Sequence, residues 1–294
     1  IRYTKLIYAL GSECFIPPIP GKEKPEVIAI RRLSDVEKIE KMLFKVKNVV
    51  VIGGGVLGLE AAWELKKARC KVTVLEVAPK LMSRQLDDAA GDMLKTIADG
   101  SGIEIRTGIQ VESIEGEEYV TGVKIQGGEV IPAELVIVSA GVRANTALAK
   151  AAGIAVDRAV IVNSKMQTSI EDIYACGDCA QYEGINYAIW PQALEQGKTA
   201  GANAAGDTAE YAQVPAALTF HGMNTALFAS GDNGKRTDII YKTIEIKDPG
   251  KKQYEKLYFF NNRLCGVILI GDLSRMAELS KALEQKAVFQ KVVK

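Results

Sequence analysis

Short apolar runs at 5–9, 49–52 and 71–76 are each bounded by glycine, serine or charged residues, the pattern of buried strands. Residues 55–68 between the last two carry helical spacing, so 49–76 predicts strand, helix, strand, an interval that suits a parallel crossover. Ser34 predicts the cap of a helix over 35–44, with apolar residues at 36, 39, 42 and 43. A helix at 87–98 and a strand at 103–106 continue the alternation. From 110 to 139 the period drops to two. Strands 110–114, 119–126, 129–132 and 135–139, separated by Glu-Gly and Gly-Gly turns, predict an antiparallel meander. A strand at 170–175 and an Ala/Gly-rich helix at 191–205 follow. Beyond Pro215, strands near 217–230, 239–246, 254–260 and 263–270, an Asn261-Asn262 turn and a helix at 274–286 predict a separate unit. The fold class is α/β, with an α+β unit at the C-terminal end.

Composition narrows the function. The 294 residues allow about two domains. Thirty-seven basic against 36 acidic residues leave a net charge of +1, so no field draws nucleic acid or an anionic membrane. The longest uncharged apolar stretch, 49–59, falls well short of the roughly 20 residues a membrane span needs. Five scattered cysteines point to a reducing cytoplasm rather than a disulfide framework. A single histidine argues against a His-rich zinc site or a Ser-His-Asp triad. The chain opens Ile1-Arg2-Tyr3 and reads as if it begins partway through a domain.

The strongest chemical signal is Gly53-x-Gly55-x-x-Gly58, directly after an apolar strand and opening a helix. In such a turn the first glycine permits the bend, the second lets a pyrophosphate approach the backbone, and the third lets helix and strand pack closely. The helix N-terminus then offers unpaired N–H groups to the phosphates. Glu76 ends the second strand, about 20 residues on, where an acid accepts hydrogen bonds from ribose hydroxyls and repels a 2′-phosphate. That favours NADH over NADPH, a preference moderated by Lys80 and Arg84 nearby. Glu60, in the same helix, is either a first-turn acid stabilising the dipole or a group serving a second cofactor.

Several segments together resemble the FAD-dependent pyridine nucleotide-disulfide oxidoreductases, specifically the NADH:rubredoxin reductase, NADH oxidase and nitrite reductase flavin-domain branch. They are KLIYALGS at 5–12, FIPPIPG at 15–21, VVVIGGGVLGLEAA at 49–62, VIVSAGVRAN at 136–145, DIYACGDCA at 172–180 and WPQALEQGKTAGANAAG at 190–206. The resemblance implies a Rossmann-like NAD domain (31–142) inserted in an FAD domain (1–30 and 143–213), followed by an interface domain (214–294). The family's N-terminal FAD segment, with its own glycine turn, has no counterpart here, so the chain reads as truncated and as binding FAD weakly by itself. Carried across residue by residue, Asp178 would meet the FAD ribityl chain. Trp190 would give its backbone N–H and the helix dipole to the flavin edge, a role compatible with its also being a buried aromatic. Arg31, Ala9 and Gly11 would contact FAD, Gly141 would pass close to NADH, and Glu60 would lie near the nicotinamide–flavin junction. Leu10 stands where the family usually has Thr, and Arg69 where it usually has a glycine, a position where a side chain carries strain.

Cys176-Gly177-Asp178-Cys179 has the spacing of a redox dithiol or a metal half-site. The chain offers no second such pair, and Asp178 raises the thiol pKa values, so both cysteines read as packing residues. His221 reads as structural. Two functions remain. One is a flavoenzyme passing hydride from NADH to FAD and electrons on to a rubredoxin-like protein, a small acceptor or an attached reductase module, as a possible homodimer. The other is a non-catalytic nucleotide-binding or dimerisation fragment of such an enzyme.

Overall fold

Val49, Val50 and Val51 are each at most 1% exposed, because the strand Asn48–Ile52 lies in the middle of a five-stranded parallel sheet and is covered on both faces. The computed structural model describes residues 2–213 and 215–292. They divide into two compact units, one running up to Phe15 and resuming at Gly141–Ala216, the other of Ile16–Ala140 and the residues from Ala217 onward. Residues 16–30, expected alongside the flavin-side segment, lie in the unit that holds the parallel sheet. Their strand Val27–Ile28 pairs with Leu135–Val138.

The sheet runs in the order Val27–Ile28, Leu135–Val138, Asn48–Ile52, Lys71–Glu76, Glu104–Thr107. Leu135–Val138 is therefore not the last strand of a meander. Its four residues are all buried, the pattern of a central parallel strand. The meander is a three-stranded antiparallel sheet of Val111–Glu115, Gly122–Ile125 and Val130–Pro132. Asn48–Ile52 thus has an early neighbour on one side and a late one on the other. Such a switch in strand order opens a crevice at the carboxyl ends.

The first helix runs Leu33–Met42, not 35–44, and Ser34 does not cap it. Asp35 does the capping from inside the first turn, accepting the backbone N–H groups of Arg31 and Arg32 at 2.9 and 2.8 Å. Arg69 has φ +68°, the left-handed conformation expected to strain a non-glycine residue there.

The C-terminal sheet is antiparallel, in the order Ala217–Gly222, Thr225–Gly231, Arg263–Ile270, Gln253–Phe260, Lys242–Asp248. The stretch read as one strand over 217–230 is a hairpin turned at Met223-Asn224. Both of those residues have positive φ, as do Asn261 and Asn262 in the second hairpin turn. The helix Met276–Glu284 covers one face through Leu279 and Leu283. The other face, with Phe220, Leu227, Tyr254, Ile268 and Ile270, packs into the same core as Leu59, Ala62 and Met93 of the parallel-sheet half.

In the other unit Leu6–Tyr8 pairs in parallel with Ile173–Ala175, Ser12–Cys14 antiparallel with Val142–Ala144, and Val160–Val162 in parallel with Ala180–Tyr182. The helix Trp190–Ala205 ends at Gly206 with φ +102°, the left-handed stop that glycine permits. Among the described residues no helix is long and apolar enough to cross a membrane.

Candidate functional site

The glycine turn follows Asn48–Ile52 at the carboxyl edge of the parallel sheet. Gly53 has φ +117°, and a Cβ there would sit 2.2 Å from the Ser139 carbonyl oxygen; one on Gly58 would sit 2.0 Å from the Gly53 carbonyl oxygen. Both positions must be glycine for the fold to close. Gly55 differs, since a Cβ there would meet no atom within 4 Å. It faces open space at the N-terminus of the helix Val56–Lys67, where no side chain supplies a cap and no acid occupies the first turn. An uncapped helix N-terminus beside a bare backbone fits a pyrophosphate.

Glu76 closes the other side. Register places Ile52 opposite Leu75, and the Gly53 N–H donates to the Leu75 carbonyl at 2.8 Å. The Glu76 carboxylate accepts the Gly54 N–H at 2.6 Å through Oε2 and the Ala78 N–H at 2.7 Å through Oε1. Sequence reasoning assigned Glu76 to ribose and missed this anchoring of the turn. Lys80 is held by Asp92 at 2.5 Å, whereas Arg84 is exposed. Glu60 lies past the first turn, so dipole stabilisation does not account for it. It is half-buried, and burial raises its carboxyl pKa while His221 pulls it down. Arg31, exposed before the first helix, belongs to this same unit.

In the other unit, parallel pairing brings Ala9 and Gly11 beside Cys176, Gly177 and Asp178, because Leu6–Tyr8 and Ile173–Ala175 end together. The Cys176 N–H donates to the Tyr8 carbonyl at 3.2 Å. The buried Ser12 hydroxyl donates to Asp178 Oδ2 at 2.8 Å, a partner that no local pattern predicts. Gly11, Gly141 and Gly177 have φ of +65°, +91° and +75°. At Gly11 and Gly141 an added Cβ would meet nothing within 4 Å. Trp190 is the first residue of its helix but is 83% exposed, which overturns the buried-aromatic reading. Two residues on, the buried Gln192 Oε1 has no hydrogen-bond partner.

Cys176 and Cys179 are buried and form no disulfide, and the Cys179 thiol donates to the Cys176 carbonyl at 3.3 Å. Burial pushes the Cys176 thiol up to about 11, and Cys179 adds to the rise. Cys179 is also raised chiefly by burial, with Asp178 a lesser cause.

The family model for pyridine nucleotide-disulphide oxidoreductases matches residues 1–208, and that for the rubredoxin NAD+ reductase C-terminal domain matches 215–287. The chain is 36% identical to a nitrite reductase [NAD(P)H] of Bacillus subtilis over 97% of its length, and it spans only 35% of that relative. With an NADH oxidase of Methanocaldococcus jannaschii it shares 34% identity, over 99% of this chain and 69% of the other. The solved structure of an NAD-dependent persulfide reductase from A. fulgidus superposes with a TM-score of 0.92 at 26% identity, covering 99% of this chain and 59% of that one.

Proposed function

This chain belongs to the pyridine nucleotide-disulphide oxidoreductase family, and we propose that it binds NADH and serves an FAD-dependent oxidoreductase that passes electrons to a rubredoxin-like protein or an attached reductase module. The observation that carries the reading is the open cradle at Gly55. The fold forces glycine at 53 and 58, but nothing in the fold forces it at 55, and an approaching pyrophosphate would. Glu76 keeps lone pairs beyond its two backbone bonds for ribose hydroxyls, and its charge disfavours a 2′-phosphate.

On the flavin side the orphaned Gln192 oxygen, the open backbone at Gly11 and the uncapped start of the helix at Trp190 suit a cofactor edge rich in donors and acceptors. Asp178, oriented by Ser12, would hold a hydroxyl of the ribityl chain; Ala9, Gly11 and Arg31 would border FAD, Gly141 would border NADH, and Glu60 would lie near the nicotinamide. When bound, FAD supplies the hydride acceptor and the route for electrons onward. The protein's share is to orient and to set charge: the helix dipole at Trp190 would stabilise negative charge at the flavin edge. The 215–287 stretch is the candidate surface for self-association, and five scattered cysteines suit a reducing cytoplasm.

Calorimetric titration of NADH and NADPH into the chain tests the reading. Saturable NADH binding, tighter than NADPH, is the expected result; no binding of either overturns it.

A further inference from the structure

Met82 is buried at φ +48°, a conformation non-glycine residues adopt only when their surroundings impose it. On one side its N–H donates to the Gly54 carbonyl at 3.3 Å, which ties it to the glycine turn. Leu81 lies against the same turn, since a Cβ on Gly54 would meet Leu81 Cδ2 at 2.6 Å and Glu76 Cβ at 3.1 Å. Residues 81–86 therefore form the wall beside Glu76, and Arg84 stands on it.

The other side of that wall is held from the C-terminal sheet. Asn233 Nδ2 donates to the carbonyls of Arg84 at 3.1 Å and Leu86 at 3.4 Å, and Lys235 Nζ to the Ser83 carbonyl at 2.9 Å. Lys235 also pairs with Asp88 at 3.4 Å. Gly234, between them, packs so closely on the Tyr258 ring that a Cβ would lie 2.4 Å from Cε1, which fixes the loop's approach. Two residues of one loop, on either side of Gly234, thus grip three backbone carbonyls of the wall. Backbone carbonyls are the groups to hold if the purpose is to set the path of a segment whatever its side chains.

We propose that Asn233 and Lys235 are positioning residues for dinucleotide selection: by fixing the path of 82–86 they set Glu76 and Arg84 relative to the 2′ side of the bound ribose. This rests on the NADH reading above. The C-terminal sheet is then part of the nucleotide site's scaffold and a means by which anything docked on that sheet can reach the site. With the grip lost, Glu76 loses its fixed wall and Arg84 gains freedom to reach a 2′-phosphate, so NADH weakens relative to NADPH.

The test is fluorescence titration of both nucleotides into the full 294-residue chain, with hydrogen exchange over 81–87 in the absence of nucleotide. Asn233→Ala and Lys235→Met should each lower the NADPH-to-NADH ratio of Kd values by roughly two- to tenfold. Exchange in 81–87 should speed up in both. Asn233→Gln, which keeps an amide donor, should recover most of the ratio, and Arg236→Ala, which breaks a surface pair with Asp238 in the same loop, should leave it unchanged. Equal weakening of both nucleotides, or an equal shift in Arg236→Ala, overturns the positioning role alone. A wild-type chain that binds neither nucleotide overturns the NADH reading as well.

Discussion

Glu76 Oε2 accepts the backbone N–H of Gly54 at 2.6 Å, so the acid at the end of one strand is fastened to the turn at the end of its neighbour. A carboxylate bonded to backbone N–H groups makes charge-assisted hydrogen bonds, each contributing about 1.5–3 kcal/mol. Glu76→Ala removes two of them and the ribose acceptor together. We expect a lower melting temperature and NADH binding weakened by about tenfold or more, with a narrower gap to NADPH. Glu76→Gln, which retains one carbonyl oxygen, should fall between. Calorimetric titration and thermal melts check both effects, and unchanged NADH affinity in Glu76→Ala would remove the acid from the site.

The glycines of the turn separate fold from function. Gly55 has φ −80° and open space at its Cβ position, so Gly55→Ala should fold with stability within about 0.5 kcal/mol of wild type. It should nonetheless bind NADH several-fold more weakly, because the methyl group fills the cradle. Gly53→Ala and Gly58→Ala, driven against carbonyl oxygens at 2.2 and 2.0 Å, should lose stability outright. Urea melts beside NADH titrations distinguish the two behaviours. Equal stability loss at all three positions would argue against the cradle.

Burial, not chemistry, sets the state of Cys176 and Cys179. Thiols held above their ordinary values stay protonated at neutral pH and react slowly. The double Ser variant should retain NADH binding. Alkylation of both sulfurs in the native chain at pH 8 should be far slower than in urea. Fast native labelling of either one would reinstate a redox role.

Much of this was legible from sequence, and the failures share a cause. Lys71–Glu76 has the bounds its apolar run predicts, and the glycine turn sits where strand and helix meet, because both signals are local. Leu135–Val138 reads as meander from sequence because four apolar residues look alike in a hairpin and in a sheet centre. Only pairing with the distant Asn48–Ile52 decides between them. Asp35 displaced Ser34 as the helix cap because a carboxylate one position further in reaches two N–H groups. Ser12 was invisible as a partner of Asp178 for want of any signal linking positions so far apart in the chain. The grip of Asn233 on the 84–86 carbonyls leaves no trace in either segment, since any residue presents a carbonyl.

Asp87 is the buried charge on which the two halves of the larger unit meet. It caps the helix Asp88–Gly100 through the Ala90 N–H at 2.8 Å, and its Oδ2 accepts the hydroxyls of Tyr254 and Tyr258 at 2.7 and 2.6 Å and the Lys256 ammonium at 3.1 Å. Burial alone would raise its carboxyl pKa, but the bonds from Tyr258, Tyr254, Ala90 and Lys256 outweigh burial and hold it below its ordinary value. A carboxyl lowered by folding adds stability that is complete above its unfolded pKa near 3.8 and is lost as pH falls through the folded value. Asp87→Ala should cost about 2–3 kcal/mol at pH 7, because it removes the helix cap and the carboxylate that accepts two buried phenols, while Lys256 keeps Glu245 at 2.8 Å. Asp87→Asn should cost less and should lose part of the acid sensitivity. Urea unfolding from pH 7 down to pH 3 checks this: the stability gap between wild type and Asp87→Asn should shrink toward the acid end. Other lowered carboxylates, such as Glu134 and Glu104, titrate in both proteins and cancel in that difference. A gap that stays constant across the range would mean Asp87 contributes by shape and capping alone, without its charge.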